Sequence, residues 1–252
     1  MSLHESAIVS GGASGLGLAT VQMLAERGYQ VVAAALPTAD RTALEQLGDA
    51  VTFVATDVTD SAQVKAAVAA AVELGTLRVA VSCAGIPDNR RVIGSRGPLP
   101  IEEFERVIRV NLVGTACLVI EAAAAMSRNA SPGDDANGLI VLTASIAAFD
   151  SGGSFAYSAS KAGVAGMTLP AAQSLAGHKI RVMTIAPGFF ETPMLLGMPS
   201  TLQQLHGTYQ FPSRFGQGHE YAQLVGSIID NPMLNGECVR LDGAFRMRTP
   251  QS

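Results

Sequence analysis

Short apolar runs alternate with stretches of helical periodicity along most of this chain. Ala7–Ser10, Gln30–Ala35, Val51–Thr56 and Arg78–Ser82 read as strands, and Leu139–Ala144, Ile180–Ile185 and Cys238–Leu241 extend the set to about seven. Helical patterns fill the intervals: a first helix running to Arg27, then Ala39–Leu47, Ser61–Leu74, a long Ile101–Arg128, and a helix carrying Tyr157. Asn129–Asn137, with its Ser, Pro, Gly and Asp residues, reads as a surface loop. Strand–helix alternation of this kind predicts an α/β fold, a Rossmann-like doubly wound parallel sheet with helices on both faces. Right-handed crossovers place the strands' C-terminal ends on one edge, where ligands bind.

Composition narrows the class. With 252 residues, 48% hydrophobic and 15% charged, the chain can bury a full core and reads as a single domain over 1–252. A net charge of −4 without a basic stripe argues against nucleic acid or an anionic membrane as partner. No uninterrupted apolar run approaches the roughly 20 residues of a spanning helix. Cys83, Cys117 and Cys238 are widely spaced and lack a C-x-x-C pattern, so neither a disulfide framework nor a zinc site is expected. The four His residues show no ligand spacing, so no metal is expected. The opening residues lack the pattern of a secretory signal, and a soluble, cytoplasmic setting is the expectation.

Gly11-Gly12-Ala13-Ser14-Gly15-Leu16-Gly17 lies at the first strand–helix junction. Such a turn brings backbone close to a pyrophosphate, with the helix N-terminus supplying free N–H groups and a favourable dipole. Asp57-Val58 follows the third strand; its carboxylate suits an adenine amino group, or equally a helix N-cap. Cys83-Ala84-Gly85 follows the fourth strand, where small residues let a ribose pass against backbone. Tyr157 and Lys161 stand four apart on a helix and share a face. An adjacent ammonium favours the phenolate, whose ordinary pKa is about 10, and makes Tyr157 a candidate general acid or base.

Taken in order, the glycine turn, Asp57-Val58, Cys83-Ala84-Gly85, Asn111, Ser145, Tyr157-x-x-x-Lys161, Pro187-Gly188 and Thr192 resemble the short-chain dehydrogenase/reductase family over essentially the entire chain. The resemblance implies a hydride transfer with Tyr157 exchanging a proton with the substrate oxygen, Ser145 orienting that oxygen and Lys161 holding the nicotinamide ribose. Asn111 would support a water relay to Lys161. Segments of the last third, among them Ile185-Ala-Pro-Gly188-Phe-Phe-Glu-Thr-Pro193 and Arg240-Leu-Asp-Gly-Ala244, are similar to a narrower subgroup, the type-2 3-hydroxyacyl-CoA dehydrogenases. That similarity implies NAD, an acyl-CoA substrate with steroid alcohols as side substrates, and a homotetramer. It adds Ser14, Leu16, Val58, Cys83, Phe190 and Thr192 as cofactor contacts, and a substrate lid around 189–215. Met194, Leu195, Leu196, Met198, Leu202 and Leu205 in the lid suit an acyl chain or steroid, or ordinary core packing. Arg90, Arg91 and Arg96 are candidates for a CoA diphosphate, with a solvated loop as the alternative.

Three positions depart from the subgroup's pattern. Ala35-Leu36-Pro37 lacks the acidic residue that grips the adenosine ribose and repels a 2′-phosphate, so NADP stands beside NAD, with Arg41 the nearest basic residue. Ser82 replaces a customary Asn and is expected to affect loop support more than the reaction. The Asp150–Ala156 stretch is short and carries Ser151, Gly152, Gly153, Ser154 and Phe155 where the subgroup has glutamines. An NADPH-dependent reductase of 3-ketoacyl or steroid ketones is the second functional reading, and a non-catalytic nucleotide-binding scaffold the third.

Overall fold

The computed structural model describes residues 4–130, 136–150, 154–197 and 211–247. Its principal strands are β1 (Glu5–Ser10), β2 (Gln30–Ala35), β3 (Val51–Ala55), β4 (Thr76–Ser82), β7 (Gly138–Thr143), β8 (Ile180–Pro187) and β9 (Cys238–Leu241). They form one parallel sheet in the order β3-β2-β1-β4-β7-β8-β9, and a two-stranded ribbon, β5 (Ile93–Gly94) with β6 (Gly97–Pro98), stands apart. The chain winds outward from β1 to β3, then crosses back to lay β4 against the other side of β1. The resulting crevice opens where Ser10 and Ser82 pair at the C-terminal ends of these two strands.

The strands are apolar on both faces because helices cover both. Ile8, Val32, Ala80, Ile140, Leu142 and Val182 pack toward α3 (Ser61–Leu74), α5 (Gly114–Met126) and α7 (Phe155–Leu175). Their neighbours Ala7, Val9, Val31, Val81, Val141 and Met183 pack the other way, toward α1 (Gly15–Glu26) and α9 (Gly218–Asp230). Alternation along each strand thus feeds two separate cores, and each fully buried Val, Leu or Ile contributes about 1.5–3 kcal/mol.

Several elements differ from the sequence expectation for local reasons. Between β2 and β3 the helix α2 is only Thr42–Glu45. The Asp40 carboxylate accepts from the Thr42 amide at 2.9 Å and its hydroxyl at 2.7 Å, an Asx turn that holds the preceding residues out of the helix. The expected long helix is α4 (Ile101–Ile108), a π turn at Arg109–Val113 and α5 in sequence. This Ile101–Met126 run is long and apolar enough to span a membrane by length and composition, and it packs one side against α3, α7 and β4. Helices α6 (Ala147–Asp150), α8 (Pro193–Leu196) and α9 and the small ribbon were not expected. Met198, Leu202, Leu205 and Ser151–Gly153 lie outside the described residues, so much of the expected lid does too.

Candidate active site

A cavity of about 650 Å³ opens over the β1/β4 crevice. Its lining includes Gly11, Ser14, Gly15, Leu16 and Gly17, with Thr192 against Gly15, at one end and Ser145, Tyr157, Phe189 and Phe245 toward the other. Cys83, Ala84, Gly85, Lys161 and Phe190 also line it, whereas Asn111, Asp57 and Val58 do not.

The glycine turn is shaped first by its own packing. A Cβ on Gly17 would lie 2.1 Å from the Gly11 carbonyl oxygen, and one on Gly11 would lie 2.7 Å from the Ala84 amide nitrogen. Gly11 also has φ +69, the left-handed region that favours glycine. Ser14 stands at the N-cap of α1 in extended conformation without a side-chain capping bond. The first amides of α1 are therefore left without a side-chain cap at the cavity wall, a donor set suited to a phosphate. This uncapped helix start beside a side-chain-free turn fits the pyrophosphate of a dinucleotide.

Tyr157, on the first turns of α7, receives a hydrogen bond with the Ser145 side chain. Burial pushes its phenol above the ordinary value, and the Ser145 contact offsets part of that rise. The lowering expected from the neighbouring Lys161 gives way to desolvation, which disfavours the phenolate. Lys161 lies one turn on, its Nζ 5.8 Å from the Tyr157 ring centroid and donating to the Thr143 carbonyl at 2.7 Å. It is 5% exposed, and burial pulls its ammonium down to about 8. Beneath it, Thr143 Oγ1 and the fully buried Tyr221 hydroxyl lie 2.7 Å apart. Burial pushes the Cys83 thiol up, so Cys83 sits here as a neutral group.

Asn111 occupies the π turn, a local widening common at functional sites. Its side chain accepts from the Ile86 amide at 2.8 Å and donates to the Ile86 carbonyl and Ser160 Oγ, both at 3.1 Å. It thereby pins the loop after β4. A Cβ on Gly85 would lie 3.2 Å from Asn111 Oδ1 and 3.7 Å from Lys161 Nζ, so these two groups flank the same glycine. Ser82 Oγ pairs with Thr115 Oγ1 at 3.0 Å, and Thr115 donates on to the Asn111 carbonyl at 2.8 Å. The Ser82 side chain is thus tied to α5, while Asn111 holds the loop after β4.

Asp57 is engaged locally: its Oδ1 accepts from the Thr59 amide at 2.9 Å and hydroxyl at 2.8 Å. The N-cap of α3 is Asp60, which accepts from Ala62 and Gln63. Ala35 ends β2, and Arg41 lies over the Phe53 ring, 4.8 Å from its centroid. Arg91 and Arg96 border a second depression at the β5–β6 ribbon, where Arg90 is paired with Glu103 at 2.8 Å. Sequence reasoning missed Thr143, Tyr221, Phe245 and Met247. The first two are anonymous within apolar strand and helix patterns, and the last two follow the final strand without periodicity.

This fold and cavity define a nucleotide-dependent oxidoreductase. Residues 5–202 match the model of the short chain dehydrogenase family, and the chain belongs to that family. Its relatives narrow the comparison. It is 46% identical over 248 residues to the 3-hydroxyacyl-CoA dehydrogenase type-2 of Bos taurus, covering 96% of this chain and 95% of that protein. The protein of the same name in Drosophila melanogaster is 45% identical over 246 residues, covering 95% of this chain and 96% of the relative. The crystal structure of 3-hydroxyacyl-CoA dehydrogenase type-2 from Mycobacterium avium superposes with a TM-score of 0.90 at 40% identity, covering 98% of this chain and 97% of that one. A nicotinamide cofactor follows from family membership.

Proposed function

We propose that this enzyme interconverts 3-hydroxyacyl-CoA and 3-ketoacyl-CoA with NAD as its nicotinamide partner. The observation that carries the reaction is the Tyr157 phenol, bonded to Ser145 in a cavity that begins at the glycine turn and ends among Phe189, Leu195 and Phe245. The substrate class rests on near-full-length similarity to dehydrogenases of that name. The nicotinamide ring supplies the hydride acceptor or donor.

In the reducing direction Tyr157 gives its proton to the ketone oxygen as the carbon becomes tetrahedral. A phenol that burial keeps protonated near neutrality is suited to that donor role. The Ser145 hydroxyl orients the same oxygen and stabilises the charge developing on it. In the reverse direction Tyr157 accepts the alcohol proton. Lys161, whose Nζ donates to the Thr143 carbonyl, would hold ribose hydroxyls and, beside the loop that Asn111 pins, would offer the route by which Tyr157 regains or sheds its proton. Gly11, Ser14, Gly15, Leu16 and Gly17 would hold the pyrophosphate, while Cys83, Ala84 and Gly85 would line the ribose. Phe190 and Thr192 would hold the nicotinamide, and Asp57 with Val58, which do not line the cavity itself, would contact the adenine.

Arg91 and Arg96 at the ribbon are the cations available to the CoA phosphates. A homotetramer belongs to the same reading, because Ile120 and Leu169 are 64% and 53% exposed on the outer helices α5 and α7. So does a reducing, cytoplasmic setting, in which Cys83, Cys117 and Cys238 stay free. The test is turnover of acetoacetyl-CoA and longer 3-ketoacyl-CoA esters with NADH and with NADPH, followed by nicotinamide absorbance. Turnover with NADH is expected; activity on ketones but on no CoA ester would overturn the substrate class.

A further inference from the structure

The segment after β9 forms a wall of the cavity that no part of the chemistry above uses. Phe245 and Met247 line the same cavity as Ser145 and Tyr157. Phe245 is 6% exposed and packs with Ile146, set edge-on to Phe189 with centroids 5.5 Å apart and planes at 85°. An aromatic ring held edge-to-face in a buried cluster is a stiff boundary, because displacing it forfeits both area and ring geometry.

Arg240 makes the strongest link between this wall and the catalytic segment. Arg240 on β9 grips both carboxylate oxygens of Asp150 at 2.7 Å each, and its Nε donates to Asp242 Oδ2 at 2.7 Å. The same guanidinium donates to the Phe245 carbonyl at 3.1 Å. Asp150 closes α6, the turn that directly follows Ser145, and it also accepts from the Met247 amide at 3.2 Å. Asp242 Oδ1 accepts from the amide of Ala244, which has φ +60 at the bend that aims Phe245 inward. Both carboxylates are largely buried, with side-chain exposures of 9% and 7%. A planar fork with donors in fixed directions can satisfy them together, which a lysine cannot. The Arg240 clamp thus ties the Phe245 wall to the turn after Ser145, alongside the Met247 amide on Asp150 and the packing of Phe245 on Ile146.

We propose that Asp242–Met247, clamped by Arg240 between Asp150 and Asp242, is the specificity-determining wall of this enzyme, and that Phe245 limits the bulk carried beyond the reacting carbonyl. The acyl-CoA form of this statement rests on the proposed function; the wall itself does not. Exchanging Phe245 for Ala opens space beside the oxygen-binding groups without touching the glycine turn. The effect belongs in the ranking of substrates, where a single methylene in an apolar pocket changes kcat/KM by roughly 10–200-fold.

The experiment measures kcat/KM for 3-ketooctanoyl-CoA and acetoacetyl-CoA, together with nucleotide affinity, in the wild type, Phe245→Ala, Phe245→Leu and Arg240→Lys. Phe245→Ala should raise the long-to-short ratio about tenfold or more with nucleotide affinity unchanged. Arg240→Lys, which keeps the charge and loses the fork, should raise KM for both esters while moving kcat much less. If Phe245→Ala loses nucleotide affinity through misfolding, the ratio in Phe245→Leu decides in its place. An unchanged ratio in a variant that still binds nucleotide overturns the wall. Should the wild type turn over no CoA ester, the substrate class falls, and the same ratio taken on a small and a bulky plain ketone still tests Phe245.

Discussion

At one end of the cavity the chain presents backbone: Gly11, Gly15 and Gly17, with the uncapped start of α1 behind them. At the other end it presents side chains: Ser145, Tyr157, Phe189 and Phe245. The backbone end is assembled from one short stretch and the loop after β4, and its shape follows from where a Cβ has no room. The side-chain end gathers residues from β7's exit, α7, β8's exit and the segment after β9. On the proposed assignment, the contrast teaches that cofactor recognition is written locally and in steric terms. Substrate recognition is written across the fold in chemical terms, and Lys161 stands between the two.

Tyr157→Phe should separate the ends most sharply. Removing the phenol hydroxyl is expected to lower kcat by about 10²–10⁴-fold with nucleotide affinity retained. Steady-state kinetics beside a nucleotide titration would measure it, and near-normal turnover would remove Tyr157 from the chemistry. Gly17→Ala attacks the opposite end. The new Cβ would meet the Gly11 carbonyl at 2.1 Å, a backbone atom that cannot swing aside. A loss of about 1–3 kcal/mol in denaturant titrations is expected, with weakened nucleotide binding. Gly166→Ala, whose Cβ meets nothing within 4 Å, is the control and should be neutral or stabilising by about 0.5–1 kcal/mol.

Lys161 tests the junction through pH. Its ammonium titrates at about 8 in the folded chain against 10.5 for the free side chain. Between those values the unfolded chain binds the proton that the folded chain has released, so stability of the nucleotide-free protein rises with pH across that window. The gain is on the order of 1–3 kcal/mol and should be missing from Lys161→Met. Parallel stability curves for the two proteins across that window would show that Lys161 is not strained by burial. The smallest effect concerns Ala35→Asp. A carboxylate at the end of β2 should shift the NAD-over-NADP ratio of kcat/KM toward NAD by about tenfold. An unchanged ratio would move Ala35 away from the ribose.

Much of this architecture was readable because its physics is local. The inner strands of the parallel sheet are buried on both faces, so Gln30–Ala35 could be bounded from its apolar run. Helix α9 escaped because it opens on a capping box built from Gln217 and Glu220 rather than the usual Ser, Thr, Asp or Asn N-cap. The β5–β6 ribbon is too short to show a period. The positions of Ser145, Tyr157 and Lys161 in one cavity follow from motif spacing and the crossover rule. The rise in the Tyr157 pKa was not legible, because it depends on how much water the neighbouring segments exclude. Phe245 and Arg240 were equally hidden, since their meaning lies in contact with Asp150 across the fold.

The strand order has a consequence in time as well as space. β1 pairs with β4, β7 with β8, and β8 with β9, each pairing joining segments separated by an intervening helix or more. Parallel pairings of high sequence separation form slowly, because loop-closure entropy is lost before the contacts that compensate for it are made. The pocket's glycine turn is synthesised first, but Thr192 and Phe245, which complete its two ends, emerge much later from the ribosome. A nascent chain therefore carries a nucleotide cradle without a reaction vessel, and catalytic competence is among the last properties this polypeptide acquires.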